Sequence, residues 1–239
     1  MRPVRAPDFL RTTRVSYDAI AQAYAADQPD SLAGRPLESA LSAVFGELAR
    51  ARADGSARPP VADIGSGPDH VTARLHGMGL PVFGVDVSPR RMALARRAHP
   101  GLRFHVGSMT ALDLPDASLG GIVALCSVIH VPDDHLPSVF AGFHRVLLPG
   151  APVLLGFQSG TENGRLRLTE RYEREIALDF PWRTPDAVAE LLGDAGLGMY
   201  ASVLREPQDG ERMPRAFLPA RRPGQRVRVP RGRPGRGPR

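Results

Sequence analysis

Apolar positions recur along this chain at two spacings, one helical and one extended, and the two alternate. Val15, Ile20, Ala23 and Tyr24 fall near a 3.6-residue period and predict a helix over 15–26. Leu41, Val44, Phe45 and Leu48 predict a second helix over 37–53, stopped by Asp54-Gly55-Ser56. A regular alternation follows. Short apolar runs at 61–64, 82–87, 102–106, 120–128 and 153–157 read as strands, and the segments 70–78, 89–99 and 133–147 between them as helices. The run at 120–128 is apolar throughout, as expected of a strand covered on both faces. Such alternation predicts a doubly wound parallel sheet.

The pattern is weaker beyond residue 158. Residues 160–182 read as a loop followed by a charged helix over 166–178, and 186–195 as a helix ended by Gly196. Two further strands, 199–205 and 212–220, are expected to close the sheet as a hairpin around Gln208-Asp209-Gly210. The fold class is therefore α/β: a Rossmann-like, doubly wound sheet of seven mostly parallel strands, the last antiparallel, with helices on both faces. The domain is placed at 15–222, between an N-terminal arm (1–14) and a tail (223–239). Segments 15–53 and 160–182 are expected to cap the site.

Composition changes this picture mainly at the tail. All 31 basic residues are Arg, eight of them within 221–239; without those eight the formal charge falls from +6 to −2. The tail is Arg, Pro and Gly with little apolar surface, so disorder is expected. It has no aromatics to stack on bases, which argues against nucleic acid as a partner. With Cys126 the sole cysteine, an intrachain disulfide is impossible and a cytoplasmic, reducing setting is expected. No apolar run approaches the ~20 residues that span a bilayer, and 1–14 has no signal-peptide apolar core.

Two motifs carry chemistry. In Val61-Ala-Asp-Ile-Gly-Ser-Gly67 an apolar strand enters a glycine turn that opens a helix. Glycine lets a ligand approach the backbone, and the helix start offers N–H groups to an anion. Gly65 and Gly67 match a dinucleotide turn, G-x-G-x-x-G, but the third glycine position is His70, and Asp63 fits a pyrophosphate site poorly. Asp86 ends the second strand 21 residues after Gly65, near the spacing at which an acid reaches ribose hydroxyls. A helix cap is the bland alternative for Asp86, though Ser88 can supply that.

With these residues in view, the chain resembles class I S-adenosylmethionine (SAM)-dependent methyltransferases of the small-molecule type found in high-GC actinobacteria. The resemblance rests on VADIGSGP (61–68), GVDVSPRRMALARRAHP (84–100), the stretch 104–132, FHRVLLPG (143–150) and VLLGF (153–157). It implies SAM as cofactor. Asp63, Gly65, Ser66 and Gly67 would line its methionyl end, Asp86 would hold the ribose and Val87 would meet the adenine. Ser108 and Met109 would bracket the adenine, and Cys126 and Ser127 would lie under the sulfonium. Tyr17 and Tyr24 resemble tyrosines that cover the cofactor. Asp69 stands where the family has glycine, and its charge could weaken cofactor binding; Ala151 replaces a glycine of the family's Pro-Gly-Gly turn.

The expected reaction is methyl transfer to oxygen or nitrogen of a small-molecule acceptor, with His130 as the candidate base and no metal. Cys126 reads as a buried strand residue rather than a nucleophile. Three other readings remain open: a SAM-binding protein disabled by Asp69, an NAD(P)-dependent oxidoreductase, and an RNA methyltransferase guided by the tail. A monomer or homodimer is expected.

Overall fold

The computed structural model describes residues 8–27, 32, 34–51, 58–68, 70–208 and 210–224. The expectations for Asp69 and for the tail beyond 224 lie outside the described residues. Two helices, α1 (Asp8–Asp27) and α2 (Pro36–Arg50), precede the alternating core. That core runs β1 (Val61–Ile64), α3 (His70–Gly77), β2 (Val82–Asp86), α4 (Pro89–Ala98), β3 (Arg103–Val106), β4 (Gly121–Leu125), α5 (Leu136–Val146) and β5 (Pro152–Gln158). Then come β6 (Gly164–Arg171), β7 (Arg174–Trp182), α6 (Pro185–Asp194), β8 (Gly198–Met199), β9 (Val203–Arg205) and β10 (Arg215–Arg221).

The main sheet has the order β3-β2-β1-β4-β5-β10-β8, with β9 also paired to β10. The first five strands are parallel, and β10 runs antiparallel to β5, pairing Arg215 with Gln158 and Arg221 with Pro152. The Rossmann-like α/β expectation thus describes the molecule, with the closing edge split into two short strands. Alternate residues of the central strands serve opposite cores. Ile122, Ala124, Val153 and Leu155 pack on the side of Phe140 and Phe143 of α5. Val123 and Leu154 pack with Phe45 of α2 and Leu75 of α3. This two-sided burial explains why 120–128 reads as uninterrupted apolar sequence. Among the described residues no helix is long and apolar enough to cross a membrane.

Three expectations need correction. The segment 166–178 is not a helix: β6 and β7 form a separate two-stranded antiparallel sheet, with Leu166 opposite Phe180 and Leu168 opposite Leu178. The apolar positions Leu166/Leu168 and Ile176/Leu178/Phe180 recur every second residue, the period of a strand. The turn between them is Tyr172-Glu173, both left-handed at φ 53° and 56°. It is a two-residue connection made without the glycine or asparagine that normally marks one. Second, α1 begins at Asp8, so much of the supposed N-terminal arm is helical. Third, β4 ends at Leu125; Cys126 turns the chain at φ 52°, and a single 3₁₀ turn, Val128–His130, follows.

The hairpin and α1 pack on each other through Tyr17, Ile20, Ile176 and Leu178. Ser16 Oγ accepts a bond from the Ala177 amide at 2.9 Å. Asp18 Oδ1 ties the helix to α4, accepting from Ser88 Oγ at 2.6 Å and the Arg90 amide at 3.1 Å. The pair lies over the carboxyl ends of the parallel strands, the edge at which doubly wound sheets bind ligands.

Candidate functional site

A cavity of about 630 Å³ opens at that edge, within the range of small-molecule sites. All thirteen residues singled out in the sequence, from Tyr17 to His130, border it.

Its floor is backbone. β1 ends in Gly65 at φ 75°, and Gly67 follows at φ 59°, left-handed conformations that strain any side chain. A Cβ on Gly65 would overlap Ser127 Cβ, and one on Gly67 would overlap the Arg91 guanidinium. The amides of Gly65 and Ser66 are taken up by the Val85 carbonyl at 2.7 and 3.1 Å, and that of Gly67 by Asp86 Oδ2 at 3.1 Å. What the turn offers a ligand is therefore room, while anion-binding N–H groups fall to the start of α3.

Asp63 is 2% exposed and accepts from Thr72 Oγ1 at 2.7 Å, so it braces the turn against α3. Ser127 is similarly internal, donating to the Ile64 carbonyl at 2.7 Å. Ser88 is the N-cap of α4 and accepts from the Arg91 amide. Capping by Ser88 relieves Asp86 of that duty, leaving its carboxylate 4% exposed at the end of β2. Asp86 accepts from the Ser88 amide at 2.9 Å and from Arg91 Nη1 at 3.4 Å. Ser108 Oγ pairs with Thr110 Oγ1 at 2.8 Å on the wall beside Met109.

Sequence reasoning missed Arg91. Its guanidinium lies 4.4 Å from the Tyr17 ring centroid and 5.0 Å from that of Tyr24, against Asp86 and over Gly67. It fills the space between the carboxylate and the two tyrosines. The signal was present: on α4, Arg91 falls on the same inward face as Met92 and Ala95.

His130 is held on both ring nitrogens. Nδ1 is 3.1 Å from the Asp179 carbonyl, which can only accept, so Nδ1 carries the proton. Nε2 then accepts from the Tyr17 hydroxyl at 2.6 Å. Burial pushes the imidazole down to about 4, against a smaller opposing effect of its bond to Asp179; the Arg91 charge lowers it further. Burial also pushes the Tyr17 phenol well above its ordinary value, an effect Arg91 partly offsets. The pair is neutral at pH 7 and latches α1 and β7 to the end of β4.

The rest of the cavity border is made by side chains from distant parts of the chain. Phe180 and Trp182 of β7 and Leu166 and Leu168 of β6 form an apolar wall. An ionic network forms another part of the border. Arg205 meets Glu38 Oε1 at 3.1 Å and Glu211 at 2.8 Å, while Arg35 and Arg215 also reach Glu211, at 3.1 and 2.8 Å. Burial pushes the Glu211 carboxyl up, but the Gln208 amide and the surrounding arginines outweigh it and hold the group below its ordinary value. Arg215 also points Nη1 at Cys126 Sγ, 3.2 Å away. Among the described residues no cluster of His, Cys, Asp or Glu is arranged to hold a metal.

The left-handed glycines, the space a Cβ would fill and the buried carboxylate 19 residues beyond Gly67 suit an adenosyl ligand, provided Arg91 turns aside.

Known proteins bear on this geometry. Residues 61–150 match the family model of a methyltransferase domain. A demethylmenaquinone methyltransferase of Chlorobaculum parvum is 29% identical over 138 residues, 57% of this chain and 56% of that protein. The chain thus spans little more than half the length of that relative. The 1,6-didemethyltoxoflavin-N1-methyltransferase of Burkholderia thailandensis, solved with its acceptor and S-adenosylhomocysteine, superposes with a TM-score of 0.68 at 20% identity, covering 93% of each chain. The cyclase SpnF superposes at 0.66 and 16% identity, over 92% of this chain and 99% of that one. Residues 61–150, whose glycine turn and Asp86 form the cavity floor, are thus similar to a methyltransferase domain, and the fold around them is that of the solved methyltransferases.

Proposed function

We propose that this chain transfers the methyl group of SAM to a small-molecule acceptor held between the cavity floor and the β6–β7 hairpin. The observation that carries the reading is the joint geometry of the left-handed glycine turn and Asp86 at the floor of a cavity of about 630 Å³. SAM would supply an activated methyl on a sulfonium, open to in-line displacement.

Each residue's part follows from its surroundings. Asp86 accepts the ribose hydroxyls once Arg91 swings away. The glycine turn gives the cofactor backbone-close approach, and Val87, Ser108 and Met109 border the adenine. Cys126 and Ser127 put the end of β4 beneath the reacting centre. Tyr17 and Tyr24 cover it from α1 and exclude water. His130 acts through Tyr17 as a positioning residue: its accepting nitrogen is occupied, and a nitrogen pushed down to about 4 is a poor base at neutral pH. Holding nucleophile and methyl in line supplies much of the rate.

By their names, two of the similar proteins methylate demethylmenaquinone and 1,6-didemethyltoxoflavin, acceptors that are not macromolecules. That supports an acceptor of similar kind, which the apolar wall of Phe180 and Trp182 also fits. Calorimetric titration with SAM and S-adenosylhomocysteine tests the reading. The native protein should bind both, and Asp86→Asn should weaken binding about tenfold or more, the effect of losing charged hydrogen bonds. No heat with either ligand would end the proposal.

A further inference from the structure

We propose that the methyl acceptor enters as an oxyanion on an apolar body, with its charge received by Arg215 and Arg212 and the same oxygen taking the methyl group. This rests on the methyl-transfer reading above.

The charges at the acceptor end do not cancel. Among the described residues, three arginines on the cavity border (Arg35, Arg212, Arg215) and the buried Arg205 behind it stand against two carboxylates, Glu38 and Glu211. Glu211 is shared by Arg35, Arg205 and Arg215, and Glu38 Oε1 by Arg205. Arg212 is exposed and makes no ion pair among the described residues. Arg215 gives Nη2 to Glu211 but turns Nη1 toward a thiol, Cys126 Sγ at 3.2 Å, and sulfur is a weak acceptor. A guanidinium nitrogen beside the end of β4 is therefore poorly matched by its own protein. A negatively charged oxygen would suit it better, and it stands where the reacting atom must come.

Among the described residues, no group is well placed to act as a base, which points the same way. A neutral hydroxyl acceptor would need a group to take its proton. His130 Nε2 already accepts from Tyr17. Glu211 is held by arginines, Asp63 by Thr72 and Asp86 by two amides and Arg91. Glu38 Oε2 has no hydrogen-bond partner, but it is sealed from solvent, and the same carboxylate is held by Arg205 through Oε1. The other histidine bordering the cavity, His70, opens α3 beyond the glycine turn, on the cofactor side. An oxyanion needs no base: its lone pair forms the O–CH₃ bond, the S–CH₃ bond breaks, and the electron pair stays on sulfur as the neutral thioether. Phenolate, enolate and carboxylate share this chemistry.

The test uses the full chain saturated with S-adenosylhomocysteine and three naphthalene probes: 2-naphthoate, 2-naphthamide and 2-naphthylmethylamine. Calorimetry should show naphthoate binding about tenfold tighter than the amide, and the amine weakest. Arg215→Gln should remove that preference and Arg215→Lys restore most of it. Arg212→Gln, at an exposed position where folding is not at stake, should lower naphthoate affinity a few-fold and leave the amide unchanged. Incubation with methyl-labelled SAM and either naphthoate or 4-nitro-1-naphthol, followed by mass spectrometry, separates carboxylate (ester product) from phenolate (ether product). The proposal is overturned if the amide or amine binds as well as the carboxylate, if naphthoate does not bind, or if the variants weaken all probes alike. Failure of the native chain to bind S-adenosylhomocysteine would instead remove the methyl-transfer reading itself.

Discussion

The two ends of the cavity are built from different materials. The cofactor end is backbone: a glycine turn, the carboxyl ends of β1, β2 and β4, and a carboxylate fixed by neighbouring amides. The end proposed for the acceptor is side chains on α1, on the β6–β7 hairpin and on or just before α2 and β10, brought together over sequence separations as large as 176 residues. Backbone tolerates little change, because every bond in it braces a strand. Side chains on separate elements can be exchanged one at a time. A site made this way can keep one cofactor while its acceptor varies.

Gly65→Ala gives the sharpest test of that contrast and the largest expected effect. The left-handed φ and the overlap with Ser127 together should cost about 2–4 kcal/mol of stability, read from denaturant midpoints, and should abolish cofactor binding. A variant that binds SAM normally would show that the turn is not the rigid floor described.

The latch between the ends comes next. The folded His130 value of about 4 lies below the ordinary 6.5 of an unfolded chain, so the unfolded state takes up its proton first. Stability from this group is complete above pH 6.5 and is lost as pH falls from 6.5 through 4. The loss should be on the order of 2–3 kcal/mol by pH 4. His130→Gln should flatten that part of the stability–pH curve; an unchanged curve would mean the imidazole is not buried neutral.

The same contrast decides how much could be read from the sequence. Gly65, Gly67 and Asp86 announce themselves because the parts proposed for them depend on local backbone and fixed spacing, and Ser127 and Met109 follow from strand ends. The Glu38–Arg205–Glu211–Arg215 network has no local signature, since its partners meet only after the chain has folded. The hairpin was misread for a related reason. Its turn uses Tyr172 and Glu173 instead of glycine, and its outward Arg and Glu residues resemble the polar face of a helix. Only the two-residue recurrence of Leu166, Leu168, Ile176 and Leu178 carried the correct period. Arg91 was hidden among the arginines of α4, with only its inward position to distinguish it.

Arg91 belongs to the cofactor end by position but to the other class by nature, as a side chain that can move. Arg91→Met should lower the stability of the ligand-free protein by about 1 kcal/mol through loss of the Asp86 pair and two cation–π contacts. It should also tighten SAM binding several-fold, because the ligand no longer displaces a guanidinium. The opposite signs are the diagnostic. If calorimetry shows weaker binding, Arg91 holds the cofactor rather than competing with it.

The smallest expected effect isolates the acceptor end. Leu166 lies on the hairpin wall of the cavity and is 46% exposed, so truncating it removes little buried surface. Leu166→Ala should change stability by less than about 0.5 kcal/mol. Cofactor affinity should stay within about twofold, because Leu166 packs on the hairpin and takes no part in the bonds that fix the glycine turn and Asp86. An apolar acceptor would lose part of one contact, raising its KM about threefold while kcat holds. A change in cofactor affinity as large as the change in KM would mean that the two ends are coupled through α1, and the division between a fixed floor and an exchangeable wall would have to be given up.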